Sequence, residues 1–174
     1  MNNFYLENIN PGSKIHFVGI GGISMSGLAR IILQKGFAVS GSDMAESKSV
    51  LALKETGVEI FIGHKAENAC GADLLVYTAA VKQDNPELVY AKENNIPAIE
   101  RSILLGAIMR GFKNSIGIAG THGKTTTTSM LSHVLLACEL DPTITIGGEL
   151  DVIDGNIRVG ESDYFLTEAC ERHM

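Results

Sequence analysis

Cysteine, long apolar runs and basic blocks are all scarce in this sequence, and each scarcity excludes a class of protein. Three of the 174 residues are cysteines, an odd number without a C-x-x-C pair, which argues against a disulfide framework and a zinc ribbon. No apolar run approaches the roughly 20 residues of a membrane helix, and no basic segment followed by an apolar one opens the chain. We therefore expect a cytoplasmic protein that has no membrane partner.

The charge balance also limits the choice of partners. The chain has 14 lysines and arginines against 20 acidic residues, a net charge of -6. No run of basic residues is long enough to follow a nucleic-acid backbone, so nucleic acid is not an expected partner. Hydrophobic residues make up 45% of the chain, which is enough for one large domain or two small ones.

Short runs rich in valine and isoleucine alternate with helix-length amphipathic segments, a pattern typical of β-α-β units with a parallel sheet. The runs predict strands at 14–20, 37–43, 58–63, 72–78, 96–100 and 115–120. Helices are predicted at 23–35, 85–95 and 102–109. We place a domain boundary near 111–114, which predicts an α/β protein with one domain at 1–112 and the start of a second at 113–174.

A first glycine cluster follows the first predicted strand. Gly19, Gly21 and Gly22 stand between a strand and a helix, where backbone amides and the helix dipole can hold a diphosphate. The dinucleotide fingerprint needs a third glycine where this chain has Ser24, so the match is partial. Asp43 ends the second strand at the spacing of a ribose-binding acid. The alternative is that the glycines only form a tight turn.

A second glycine cluster, "GTHGKTT" at 120–126, follows the strand at 115–120. Gly120 and Gly123 allow backbone amides to wrap phosphate oxygens. Lys124 supplies a positive charge for the β- and γ-phosphates, and Thr125 supplies a hydroxyl for Mg²⁺. A strict phosphate-loop pattern needs glycine where this chain has Ile118, so this is a variant loop. The alternative, a threonine-rich helix cap, is weak because β-branched residues start helices poorly.

Four segments taken together resemble the Mur ligases. They are "IHFVGIGGISMSGLARIILQKG", "VSGSD", "GIAGTHGKTTTT" and "TEACE", and they occur in the family's order over nearly the whole chain. The resemblance implies a Rossmann-like first domain that binds a UDP-sugar, followed by the start of a P-loop-type ATP-binding domain. In the members that this chain resembles most, ATP converts the carboxylate of UDP-N-acetylmuramate to an acyl phosphate. The amine of L-alanine then attacks it, in peptidoglycan precursor synthesis.

The loops and the resemblance together assign candidate site residues. The UDP-sugar contacts are Gly19, Gly21, Gly22, Ile23, Ser24, Asp43, His64 and Thr78. The ATP contacts are Gly120, Thr121, His122, Gly123, Lys124, Thr125 and Thr126. The resemblance implies Mg²⁺ held by Thr125 and Glu168, with Glu171 close behind, and catalytic roles for Lys124 and Glu168. Gly147 and Gly148 are expected to shape a loop or a turn between strands.

Other functions stay open. An oxidoreductase would use the first glycine loop to bind NADH, but the second loop, at 120–126, would then have no function. A UDP-sugar-binding module without catalysis is a further alternative, as is a ligase that adds a recycled tripeptide to the same sugar nucleotide. Residues 1–174 do not include the family's remaining ATP-domain and C-terminal segments. We therefore expect this chain alone to bind the UDP-sugar without ligase activity.

Overall fold

The structure is a computed structural model that describes residues 4–169, so Cys170 and the candidate Glu171 lie outside the described residues. The chain divides into two compact units, Met1–Ala107 (unit 1) and Ile108–Met174 (unit 2). This division falls within one helix, whereas the sequence-based boundary follows residue 112. The functions assigned to 1–112 and 113–174 stay predictions.

Unit 1 contains a five-stranded sheet. Its strands are β1 (Lys14–Val18), β2 (Ala38–Asp43), β3 (Glu59–Ile62), β4 (Leu74–Tyr77) and β5 (Ala98–Glu100). They lie in the order β3-β2-β1-β4-β5, and every neighbouring pair is parallel. The helices are α1 (Ile23–Gln34), α2 (Lys48–Glu55), α3 (Pro86–Glu93) and α4 (Arg101–Arg110), and short 3₁₀ turns lie at Leu6–Asn8 and Ala66–Ala69. The predicted α/β class and parallel sheet are confirmed.

Local sequence features explain where these elements begin and end. Strand β1 is buried on both faces, because Ile15, His16, Phe17 and Val18 are all fully covered, as is usual for a central strand of a parallel sheet. Helix α1 ends just before Gly36, whose φ of +87° is a left-handed conformation that glycine adopts without strain. Helix α3 begins with a proline at its first position, where no amide hydrogen is needed.

The strand order creates a crevice at one edge of the sheet. Strands β2 and β3 lie on one side of β1, while β4 and β5 lie on the other. The connections after β1 and β4 therefore turn to opposite faces of the sheet, and ligands of such folds bind where they separate, beyond the carboxyl ends of the strands. The glycine loop at 19–22 follows β1, and Thr78 follows β4, so both candidate segments lie at this edge.

Unit 2 contains a four-stranded sheet and one long helix. Its strands are β6 (Asn114–Ile118), β7 (Thr143–Leu150), β8 (Gly155–Arg158) and β9 (Tyr164–Glu168), and its helix is α5 (Lys124–Ala137). The order is β6-β9-β7-β8; β6, β9 and β7 are parallel, and β8 is antiparallel to β7. Within residues 4–169 no helix combines the length and the apolar character that crossing a membrane would need.

Gly147 and Gly148 do not form a loop or a turn, so that expectation is wrong. Both lie within β7, which continues to Leu150. A Cβ atom on Gly147 would lie 2.9 Å from Glu168 Oε2, and one on Gly148 would lie 3.3 Å from Thr125 Cγ2. The two glycines lie where side chains of neighbouring elements approach β7 closely, and they do not mark a chain reversal.

Candidate nucleotide-binding sites

The first glycine loop is fastened to the end of β2. The amides of Gly19 and Ile20 donate to the Ser42 carbonyl at 2.8 and 2.9 Å, and the Gly21 amide donates to Asp43 Oδ2 at 2.8 Å. A Cβ on Gly21 would lie 2.8 Å from that carboxylate oxygen and 2.8 Å from Val50 Cγ2. Gly21 is thus a glycine because β2 and α2 approach the loop closely.

These bonds restrict which part of the loop could hold a phosphate. The amides of Gly19, Ile20, Gly21 and Gly22 all donate to acceptors within the protein. The N-terminus of α1 has no side-chain cap at Gly22, so the positive end of its dipole is the part suited to an anion. The diphosphate role of the loop, and the ribose role of Asp43, stay predictions.

Arg101 is a candidate that the sequence analysis missed. Its Nη1 donates to Ser24 Oγ at 2.7 Å, which brings a guanidinium group to the first turn of α1. Guanidinium groups bind phosphates in a planar, bidentate geometry. The signal available in the sequence was a basic residue directly after a strand, because Arg101 follows Glu100, the last residue of β5.

His64 belongs to a polar network at the same edge of the sheet. The Ser42 hydroxyl lies 2.9 Å from His64 Nδ1 and donates to Glu87 Oε2 at 2.7 Å. Asn68 Nδ2 donates to Glu87 Oε1 at 2.7 Å, and Glu87 is fully buried. Burial raises the pKa of the Glu87 carboxyl, but interactions with His16, Ser42 and Asn68 outweigh burial and hold its pKa below the ordinary value of 4.5.

The lowered pKa of Glu87 predicts an acid-dependent loss of stability. The carboxylate stabilises the folded state fully above its unfolded-state pKa, near 4.5, and that contribution is lost as the pH falls through the lower folded-state pKa. We expect Glu87→Gln to cost about 2 kcal/mol at neutral pH and the difference from the unaltered protein to shrink below pH 4.5. Urea unfolding of both proteins across this pH range measures the difference in their free energies of unfolding.

Glu93→Gln is the matched control, because Glu93 is an exposed residue at the other end of α3. It should leave stability within about 0.5 kcal/mol at every pH. A Glu87→Gln cost that stays constant down to pH 3 would contradict the ionised, hydrogen-bonded state of Glu87.

Thr78, the remaining UDP-sugar candidate in unit 1, lies directly after β4 on the far side of the strand-order reversal. Its side chain is half-buried, and its carbonyl accepts from the Val81 amide at 3.0 Å in a turn. The turn leaves the side chain at the carboxyl edge of the sheet. Its polar contact with a ligand stays a prediction.

The second glycine loop connects β6 to α5 in unit 2. Gly120 has a φ of +152°, and Gly123, the N-cap of α5, has a φ of +76°, which are conformations that favour glycine. No side chain caps the α5 N-terminus. The Lys124 ammonium donates to the Gly120 carbonyl, so the lysine side chain arches back over the loop. The other predicted contacts, Thr121, His122, Thr125 and Thr126, are exposed.

Three elements meet beside this loop. Glu168, at the end of β9, accepts a hydrogen bond from the Gly147 amide of β7 through Oε1 at 2.9 Å. Thr125, in the first turn of α5, lies against Gly148 of the same strand. The Glu168 carboxylate and the Thr125 side chain therefore approach two adjacent residues of β7.

The Thr125 and Glu168 side chains could supply only part of the ligands of Mg²⁺. In residues 4–169 no three His, Cys, Asp or Glu side chains are grouped so that they could hold a metal. Mg²⁺ is usually bound by one or two carboxylates together with substrate phosphates and water. Glu168 and Thr125 fit that donor set, whereas they do not form a complete protein cage.

Comparison with known proteins identifies the family. The family model described as "Mur ligase family, catalytic domain" matches residues 14–113, which is more than half of the chain. The chain belongs to the Mur ligase family. This confirms the resemblance seen in the sequence.

Among curated Mur ligases, the chain is similar to two clostridial enzymes. It is 62% identical over 162 residues to UDP-N-acetylmuramate–L-alanine ligase of Clostridium botulinum (strain Okra / Type B1). The matched region covers 93% of this chain and 35% of that protein. It is 57% identical over 169 residues to the Clostridium acetobutylicum protein of the same name, covering 97% and 37%. The chain thus spans about a third of the length of the curated relatives it matches.

Solved Mur ligase structures share the fold. The UDP-N-acetylmuramate–alanine ligase of Thermotoga maritima matches with a TM-score of 0.83 and 39% identity, over 89% of this chain and 36% of that one. A UDP-N-acetylmuramate:L-alanyl-γ-D-glutamyl-meso-diaminopimelate ligase from Neisseria meningitides matches with a TM-score of 0.81 and 31% identity, over 90% and 52%. The Rossmann-like assignment of the first part of the chain is confirmed.

Proposed function

We propose that this chain carries the UDP-sugar-binding part and the phosphate loop of an ATP-dependent ligase. The ligase joins L-alanine to the carboxylate of UDP-N-acetylmuramate in peptidoglycan precursor synthesis. The observation that carries the proposal is the arrangement in unit 2, where Thr125 and Glu168 flank Gly147 and Gly148 beside the loop at 120–126. The clostridial relatives that bear this name support the choice of amino acid and sugar nucleotide.

The chemistry requires positive charge and fixed donors near two anions. ATP supplies the phosphoryl group, and the lactyl carboxylate accepts it to become an acyl phosphate that the amine of L-alanine then displaces. Lys124 and the loop amides offset the negative charge that gathers along the transferring phosphate. Thr125 and Glu168 would hold Mg²⁺, which supplies positive charge beside the phosphates when it is bound. In unit 1, the α1 N-terminus and Arg101 bind the diphosphate of the sugar nucleotide.

A second candidate is the ligase that attaches a recycled tripeptide to the same sugar nucleotide. The Neisseria structure, which bears that activity in its name, supports it with a TM-score of 0.81. The two ligases share the sugar nucleotide and ATP and differ only in the amine substrate. A rate comparison of L-alanine with the tripeptide, in a protein of the relatives' full length, separates them.

Calorimetric titration of the chain tests the proposed binding. We expect UDP-N-acetylmuramate to bind and NADH not to bind. Arg101→Met should weaken the sugar nucleotide about 10-fold or more, because a charge-assisted hydrogen bond is lost. ATP–Mg is titrated in parallel.

Arg110→Met is the matched control, since Arg110 is an exposed arginine at the other end of α4, and it should leave the affinity within about twofold. Preference for NADH would overturn the ligase proposal in favour of an oxidoreductase. Sugar-nucleotide binding without ligase activity in a full-length protein would favour a non-catalytic binding module.

A further inference from the structure

Hydrogen-bond geometry determines the orientation of the Asn68 amide beside Glu87. Asn68 Nδ2 donates both to the Gly63 carbonyl at 2.9 Å and to Glu87 Oε1 at 2.7 Å. A carbonyl oxygen can only accept, so the nitrogen of the Asn68 amide must face it. Glu87 Oε1 therefore accepts from the same nitrogen.

The number of available hydrogens then shows which atom donates between Ser42 and His64. Ser42 has a single hydroxyl hydrogen, and it is donated to Glu87 Oε2 at 2.7 Å. Towards His64 Nδ1, 2.9 Å away, the Ser42 oxygen can only accept. Nδ1 of His64 must therefore carry a hydrogen, whether the ring is neutral or charged.

His64 lies just after β3, at the carboxyl edge of the sheet. The His64 side chain is 19% exposed, and no described residue bonds to its Nε2. The adjacent Gly63 amide donates to the Asp43 carbonyl at 2.8 Å, which ties His64 to the end of β2 beside the first glycine loop. In the neutral ring, Nε2 therefore presents a lone pair where the sugar nucleotide is proposed to bind.

We propose that Glu87 and Ser42 are positioning residues that hold His64 as the Nδ1–H tautomer, so that Nε2 accepts a hydrogen bond from the sugar nucleotide. The inference rests on the proposed UDP-sugar function for its ligand. It specifies the ligand group as a donor, a ribose hydroxyl or the uracil imide N–H. A phosphate oxygen, which can only accept, is excluded as the partner of the neutral ring.

Nuclear magnetic resonance of the ¹⁵N-histidine-labelled chain tests the tautomer without any ligand. At about pH 8, above the usual titration range of histidine, we expect the His64 hydrogen on Nδ1. Glu87→Gln should move it to Nε2: Asn68 keeps the glutamine oxygen on the Oε1 side, so the new NH₂ donates to Ser42, whose hydroxyl then donates to Nδ1. An Nε2–H tautomer in the unaltered chain would overturn the proposal.

Two further variants keep this test decisive. Ser40→Ala is the matched control, because Ser40 is equally buried on the same strand and contacts His16 instead of His64; it should leave the His64 signals unchanged. If Glu87→Gln does not fold, Ser42→Ala removes the Ser42 oxygen but leaves Glu87 Oε2, 3.5 Å from His64 Nδ1, as the acceptor, so the hydrogen should stay on Nδ1. A hydrogen on Nε2 in Ser42→Ala would overturn the proposal.

Titration with UDP tests the ligand contact. Glu87→Gln turns the ligand-facing nitrogen from an acceptor into a donor, so UDP should bind about 10-fold more weakly, while Ser40→Ala stays within about twofold. Unchanged or tighter UDP binding by a Glu87→Gln protein with the inverted tautomer would overturn the donor assignment. If the unaltered chain does not bind UDP, the proposed function and the ligand contact fail together, whereas the tautomer result stands.

Discussion

Replacing Gly160 with alanine is expected to destabilise unit 2 by about 3 kcal/mol, at the upper end of what overpacking costs. A Cβ atom on Gly160 would lie 2.0 Å from the Asp141 carbonyl oxygen and 2.7 Å from the Pro142 carbonyl carbon. Both are backbone atoms, so no side-chain rotation can relieve the clash.

The clash would open a junction between the segments that precede β7 and β9. The Gly160 amide donates to Thr143 Oγ1 at 3.1 Å. Asp141 accepts from Arg158 Nη2 at 2.6 Å and from the Glu161 amide at 2.8 Å. Moving Gly160 away from Asp141 breaks these bonds together, so the loss should exceed that of a single hydrogen bond.

Hydrogen exchange measures this effect for each unit separately. Amides of β7 and β9 should lose protection in Gly160→Ala, whereas those of β1 and β4 should keep it. Gly117→Ala is the matched control, because among the described residues its Cβ would meet only Met109 Cε at 3.5 Å and Ala169 Cβ at 3.8 Å. Equal protection in the two variants would contradict the assigned packing.

Most of the unit 1 fold could be predicted because each strand contains a short apolar segment and glycines lie between several of the strands and helices. A buried parallel strand such as β1 leaves a local signal that needs no knowledge of its neighbours. Helix α2 leaves a weaker one, because it is eight residues long and buries only Val50 and Leu53. It was therefore not predicted, although Ser47 caps it with a side-chain hydrogen bond to the Val50 amide.

The errors and omissions at the candidate sites come from contacts between segments distant in sequence. Their immediate sequence neighbours predict a turn at Gly147 and Gly148. The residues that approach them, Glu168 and Thr125, are about 20 residues away in the sequence. The only local signal for Arg101 is its position directly after a strand, because its partner Ser24 is 77 residues away. Glu87 has no local signal, and its partner Ser42 is 45 residues away. Glycine loops that are predicted to bind phosphate leave a local signal in the sequence, whereas side chains that the fold brings together leave none or a weak one.

Replacing Lys124 with methionine is expected to weaken ATP–Mg binding about 10- to 100-fold, because a charge-assisted hydrogen bond to the phosphates is lost. Binding of UDP-N-acetylmuramate should stay within about twofold, since that site is assigned to unit 1. Methionine keeps the length and apolar character of the lysine stem, so α5 should remain folded. Calorimetric titration of both ligands measures the two affinities.

The position of Lys124 makes this variant more informative than a change at an exposed lysine. Its ammonium now donates to the Gly120 carbonyl, so ATP must draw it away from the loop, and only the difference between the two partners contributes to binding. Lys113→Met, an exposed lysine just before β6, is the matched control and should leave both affinities unchanged. If Lys124→Met and Lys113→Met bound ATP–Mg equally, the loop at 120–126 would not be the phosphate site. If Lys124→Met weakened the sugar nucleotide instead, the assignment of the two ligands to the two units would have to be reversed.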